Sequence, residues 1–232
     1  MNASAHRPAA ALLHLLQLCS PSLPVGAYSY SQGLEAAMQA GVVHDEATAR
    51  DWIICMLEEV VARLEAPVTV RLMAAFTAHD AEQVRYWTEM FLASRDSAEF
   101  RAETLQMGYS LGKLLQELAP DNPAPIELLP PLAELPYPTA LAAATVALQV
   151  PTEDALLGML FSWAENQVLA CVKSVPLGQV AGQRLLLSLR SPIEAAAQTA
   201  RTIADEDLSN WTPGLSLLSM QHEVQYSRLY RS

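Results

Sequence analysis

The sequence is poor in basic side chains, in cysteine and in anything that reads as a strand. Of 232 residues only 14 are Lys or Arg, against 25 Asp or Glu, for a formal net charge of -11. Such a surface repels phosphate backbones, so no nucleic acid is expected as a partner. It suits a basic protein partner or a cationic cargo better, and it equally suits plain solubility. Cys19, Cys55 and Cys171 are odd in number, far apart and set among apolar residues. That pattern predicts reduced, buried thiols and a cytoplasmic address, not a disulfide framework. The first apolar run, Ala9 to Leu18, is interrupted by His14 and Gln17 and is too short for a bilayer. Only Arg7 precedes it, and no cleavage pattern supports a signal peptide, so no membrane is expected.

Catalytic and ligand-binding motifs are equally scarce. There is no Walker A loop and no G-x-G-x-x-G, which removes both common routes to nucleotide phosphates. His6, His14, His44, His79 and His222 form no H-x-x-x-H, and no C-x-x-C occurs. Each histidine is expected at the surface or at a helix cap, without a metal role. Asp205-Glu206-Asp207 reads as a solvated helix end. One pattern does match a hydrolase: Gly108-Tyr109-Ser110-Leu111-Gly112 is G-x-S-x-G. A nucleophile elbow needs a strand before the serine. Here Phe100 to Met107 reads as amphipathic helix, with Arg101 and Glu103 on its polar side. Close helix packing through small residues explains the pattern better. No catalytic residue, cofactor or metal ligand is assigned.

Helical periodicity is what the sequence does have. From Asp45 to Ala66, Ile53, Met56, Leu57, Val60 and Leu64 fall on one face, with Asp45 as N-cap and Pro67 ending or kinking the segment. Val84, Trp87 and Phe91 repeat the spacing between Ala81 and Leu92. Phe100, Met107, Leu111, Leu114 and Leu118 form a near-heptad stripe from Ser97 to Leu118. Seven prolines between Pro120 and Pro138 then forbid a continuous helix and predict an exposed connection near the middle of the chain. Helices resume over Thr139 to Val150 and from Thr152, where Leu157, Leu160, Ala164, Val168, Cys171 and Val175 share a face. Pro176 breaks that helix, and Pro192 opens another near Ile193 to Asp207. The expected fold is all-α: one helical bundle of about ten helices over residues 1–232, with a Pro-rich connection at 120–138.

Two stretches are unusual for a plain bundle. In Ser20 to Glu35, Pro21, Pro24 and Gly26 enforce a non-helical entry, Tyr28 and Tyr30 interleave with hydroxyl residues, and Ser31 can cap a helix ending near Gly41. An ordinary helix connection and a protein interface explain this block equally well. The C-terminus, Met220 to Ser232, carries His222, Tyr226, Arg228, Tyr230 and Arg231, residue types that anchor interfaces. A terminal helix this short is marginal alone, so residues 211–232 are expected to be mobile until a partner orders them.

At these residues the chain resembles the UreF family of urease accessory proteins. The shared blocks are Pro24-Val25-Gly26 leading into Ser31-Gln32-Gly33-Leu34-Glu35, then Pro176-Leu177-Gly178-Gln179 with Gly182-Gln183, then His222-Glu223 and Tyr226-Ser227-Arg228. Ala27 and Tyr230 are conservative departures from the family pattern, and 136–150 departs more. The resemblance implies an all-α homodimer that binds a UreD (UreH) accessory protein, recruits the GTPase UreG and docks on urease apoprotein for nickel insertion. It implies partner-binding roles for Tyr28, Ser29, Tyr30, Gln32, Glu35, Lys173, Pro176, Leu177, Gly178, Gln179, His222, Glu223, Tyr226, Ser227, Arg228 and Arg231. Two alternatives share these blocks: a metallochaperone that holds nickel itself, or a GTPase-activating partner using Arg228 or Arg231 as a finger.

Overall fold

A computed structural model describes residues 9–118 and 120–232. His6 and Arg7 lie outside the described residues. Among those described the fold is all-α, with no strand. In chain order the helices are α1 (Ala9–Leu18), α2 (Leu34–Gln39), α3 (Glu46–Met56), α4 (Ala66–Thr77), α5 (Ala81–Ala93), α6 (Ala98–Leu118), α7 (Ala124–Glu127), α8 (Tyr137–Ala147), α9 (Thr152–Ser174), α10 (Gln179–Ser188), α11 (Arg190–Thr202) and α12 (Pro213–Glu223).

Helix α3 starts where the sequence says it should. The Asp45 carboxylate accepts from Thr48 N at 2.8 Å, and Thr48 Oγ1 accepts from Asp45 N at 3.0 Å. This reciprocal cap is worth about 1 kcal/mol. Pro67 does not end the segment. Instead α3 passes into a π-helical stretch, Leu57–Glu65, and continues as α4 with Pro67 inside its first turn. A proline has no N–H for the carbonyl four residues back; the Arg63 carbonyl accepts from Ser209 N at 3.2 Å. The apolar face read from the sequence is buried throughout, from Ile53 to Leu64.

The side chains gather into two main cores. One joins α2, α3, the π stretch, α9, α10 and α11, and includes Tyr230 from the tail. The other joins α4, α5, α6 and α8 with Val25 and Tyr30 of the N-terminal loop. Helix α8 is almost wholly buried because alanine and threonine let α4 and α6 approach closely. Helix α9 is long and apolar enough to cross a membrane by length and composition alone. In the fold it packs against α2, α3, α4, α10 and α11. Its predicted face is buried except at Leu157, which is exposed.

Other expectations are corrected by packing. On α6 the buried stripe is Met107, Leu111 and Leu115, while Leu118 is exposed. Cys171 is buried and its thiol is pushed up to about 12 by desolvation, but Cys55 is exposed. Helix α11 begins before Pro192, and Asp205–Asp207 forms a separate 3-10 turn whose Asp205 pairs with Arg71.

The G-x-S-x-G pattern lies in the middle of α6, and its glycines form a notch. A Cβ on Gly108 would stand 2.0 Å from the Leu135 carbonyl oxygen, and one on Gly112 would stand 2.5 Å from a Leu135 methyl. The end of the Pro-rich stretch therefore rests directly on the α6 backbone. Ser110 Oγ donates to the Gln106 carbonyl within the helix. Gly108→Ala is expected to cost at least about 1–3 kcal/mol, because backbone has to move. Ser110→Ala should stay within about 0.5 kcal/mol. Urea melts of the two variants check the pair; equal stabilities would contradict the packing role.

Candidate functional site

The N-terminal loop and the C-terminal tail, 200 residues apart in sequence, form one hydrogen-bonded cluster on α6 and α9. It begins with backbone geometry. Gln32 and Gly33 both have positive φ, 55° and 80°, which turns the chain sharply into α2. Gly33 also leaves room for α12, since a Cβ there would meet a Leu215 methyl at 2.7 Å. The N-cap of α2 is Gly33, not Ser31 as expected, although the Ser31 hydroxyl accepts from Glu35 N at 3.2 Å. Asn166 Nδ2 on α9 donates to the carbonyls of Ala27 and Tyr30, fixing the loop from the other side.

The turn aims the Glu35 carboxylate at the tail. Its Oε1 accepts from Leu229 N at 2.7 Å and its Oε2 from Tyr230 N at 2.9 Å. Oε2 also faces His222 Nε2 at 3.1 Å. His222 is fully buried, and its other ring nitrogen lies 2.9 Å from Glu99 Oε2. Glu99 in turn accepts from Arg228 at 3.0 Å. The main chain adds to the seam: Arg231 N donates to Ser29 O, and Ser31 N donates to Ser232 O, each at 2.7 Å.

A second layer lies beneath. Tyr30 is buried, and its hydroxyl donates to Gln106 Oε1. Arg231 reaches the same Gln106 oxygen. Gln32 donates to Glu103 Oε1 and accepts from the Trp163 indole N–H, both at 2.6 Å. Ser232 Oγ donates to Glu103 Oε2 at 2.8 Å. Glu103 is 5% exposed. Burial pushes its carboxyl up to about 7, although the bonds from Gln32 and Ser232 and the nearby Arg95 pull it down.

Several expectations change. Tyr30 and His222 are buried; Glu35 bonds the tail directly, while Tyr30 and Gln32 bond to Gln106, Glu103 and Trp163 beneath it. The tail expected to be mobile until partnered is docked on the protein's own body, with Tyr230 and Ser232 buried. His222 is neither a surface nor a capping residue. Glu103 is buried, not on a polar exposed side. Glu223 accepts from Ala98 N at the start of α6. Tyr28 and Ser29 are half-buried in the loop, and the Lys173 ammonium sits 5.9 Å from the Tyr230 ring centre. Pro176, Leu177 and Gly178 connect α9 to α10, which Gln179 opens; Leu177 packs on the first core and the others are exposed. Tyr226, Ser227, Arg228 and Arg231 stay exposed on the docked tail.

Sequence reading missed the partners on α6 and α9. Glu99, Glu103 and Gln106 are spaced four and three apart and so share one helical face, as do Trp163 and Asn166. That spacing was the available signal. Among the described residues, no group of three or more His, Cys, Asp or Glu has metal-holding geometry.

The described residues thus form an all-helical scaffold whose internal polar side chains hold its own C-terminal tail. The UreF family model matches residues 43–190. The chain is 70% identical to urease accessory protein UreF of Janthinobacterium sp. (strain Marseille), over 97% of this chain and 99% of that one. It is 58% identical to the same-named protein of Nitrosospira multiformis, over 96% and 98%, and 48% identical to that of Dechloromonas aromatica, over 95% and 97%. The chain belongs to the UreF family of urease accessory proteins.

Two outcomes follow from the clamp. Glu35→Ala removes the acceptor of two backbone amides and of His222, so faster hydrogen exchange at Leu229 and Tyr230 is expected, with a loss of about 2–4 kcal/mol. Unchanged exchange would show that the carboxylate does not hold the tail. For Glu103 the folded value is raised above the unfolded one, so the folded state binds the extra proton. Its stability contribution is therefore most favourable below about pH 4.5 and is lost as pH rises through about 7. Glu103→Gln should flatten the dependence of unfolding free energy on pH between 5 and 8; an identical slope in the variant would contradict this.

Proposed function

We propose that this chain is a non-catalytic adaptor of urease maturation in the cytoplasm. It binds a UreD (UreH) type accessory protein, recruits the GTPase UreG, and so supports nickel insertion into urease apoprotein. Family membership supports the role, and one structural observation supports the tail as the contact. The docked tail carries large apolar side chains in water: Val224 is 85% exposed, Tyr226 105% and Leu229 65%. Leu229 N is held by Glu35, and the segment is bracketed by His222 and Tyr230, which bond to the same carboxylate. A preordered aromatic and apolar row flanked by Arg228 and Arg231 has the composition of an interface centre.

The buried motif residues then act indirectly, by setting the pose of the exposed ones. The segment of Pro176, Leu177, Gly178 and Gln179 is a second contact surface in this reading. Homodimer formation would cover apolar side chains that α1 leaves in water, Leu12, Leu13 and Leu16.

Removing the whole tail after Met220 would also strip Tyr230 from the core, so side-chain truncation separates binding from folding. Tyr226→Ala with Leu229→Ala is expected to reduce co-purification of the UreD-type partner at least tenfold when the full accessory set is co-expressed. Stability of the free chain should move by no more than about 0.5 kcal/mol. Undiminished co-purification would rule the tail out as the contact.

A further inference from the structure

Beside the clamp, α6, α9, α12 and the π-helical stretch line a partly open cavity of about 110 Å³. Met56, Val60, Phe100, Met107, Trp163 and Leu215 supply apolar walls. π-helical geometry is rare, and its short bulges are frequent at functional sites; here Val60, Val61 and Glu65 of the π stretch all line the cavity. Apolar walls with a few converging polar groups are the usual makeup of a small-molecule site.

Two polar groups in the lining are unpartnered. Gln167 is 1% exposed, and its amide nitrogen has no hydrogen-bond partner. The Arg95 side chain is 6% exposed, and its Nε–H likewise has none. A buried donor left unpaired costs about 1–3 kcal/mol, so two on residues lining one cavity call for an acceptor. The Arg95 charge is already matched: Nη1 lies 2.7 Å from Glu65, and the guanidinium stacks on Phe91 at 4.3 Å. Glu65, Asp96 and Glu103 also line the cavity. An added anion would be repelled by these carboxyl groups, and an added cation would bring no acceptor for the two unpaired donors. Each Glu103 oxygen accepts one bond from Gln32 or Ser232 and retains a lone pair for an incoming donor.

We propose that this cavity binds a small uncharged carboxamide with an aromatic or other apolar body. Its carbonyl oxygen takes up the donors of Gln167 and Arg95, its N–H group faces Glu103, and its body lies among Trp163, Phe100 and Met107. The site is separate from the exposed tail row, so its failure would leave the adaptor reading standing. Three probes of nearly one shape test it on the full chain by calorimetry and ligand-detected NMR: benzamide, benzoate and toluene. Benzamide is expected to bind saturably and at least about tenfold more tightly than either other probe. Gln167→Met should weaken benzamide by about tenfold and leave toluene unchanged. In the unmodified chain, benzamide should shift the Gln167 side-chain amide and Trp163 indole resonances, which decides the matter even if the variant fails to fold. Tighter binding of benzoate, equal binding of toluene, or no saturable binding of any probe would overturn the proposal.

Discussion

Two backbone amides and one histidine depend on a single side chain. The Glu35 carboxylate takes Leu229 N, Tyr230 N and His222 from a segment that local forces cannot hold. Bonds to an ionised acceptor are stronger than neutral ones, roughly twice as strong, and here they lie in a partly dry setting. The rest of the cluster exists to place that carboxylate. The left-handed Gln32-Gly33 turn aims it, Asn166 fixes the loop, and Glu99 supports His222 from the far side.

Helix α6 serves both halves of the fold. One side carries the Gly108 and Gly112 notch, where the Leu135–Pro136 segment packs directly on the helix backbone. Another side carries the acceptors Glu99, Glu103 and Gln106, which receive the loop and the tail. The Pro-rich stretch and the C-terminal segment are thus both anchored on one helix. Movement of α6 would be felt at both places because packed interfaces do not deform continuously.

Burying carboxyl groups is expensive, and this protein handles the cost in two ways. Glu35 and Glu99 keep partial access to solvent and gather several donors, including main-chain amides and Arg228. Glu103 has only two hydrogen-bond donors, and its carboxyl is raised toward neutrality. The difference follows from desolvation outweighing the bonds at Glu103. Glu103 also lines the adjoining cavity, so the proton it takes up near neutral pH changes the charge of that wall.

Helix identity and much of the core were legible in the sequence because periodicity is a local property. The faces through Ile53, Val84 and Leu160 needed only a count of three and four. The cap at Asp45 needed only its neighbours, and the glycines of α6 needed only the absence of a preceding strand. The loop and tail were also recognisable as unusual, from their tyrosines, prolines and arginines. Their meeting was not legible, since nothing local states that Glu35 lies against Leu229 or that Ser31 lies against Ser232. Nor could the sequence say that His222 is buried, because a histidine's burial depends on whether distant carboxylates arrive to satisfy it. Composition and spacing determined an all-α chain with interface-like residues at both ends. The tertiary structure alone decided which of those residues clamp the tail and which face water, because only packing settles where a buried polar group finds its partner.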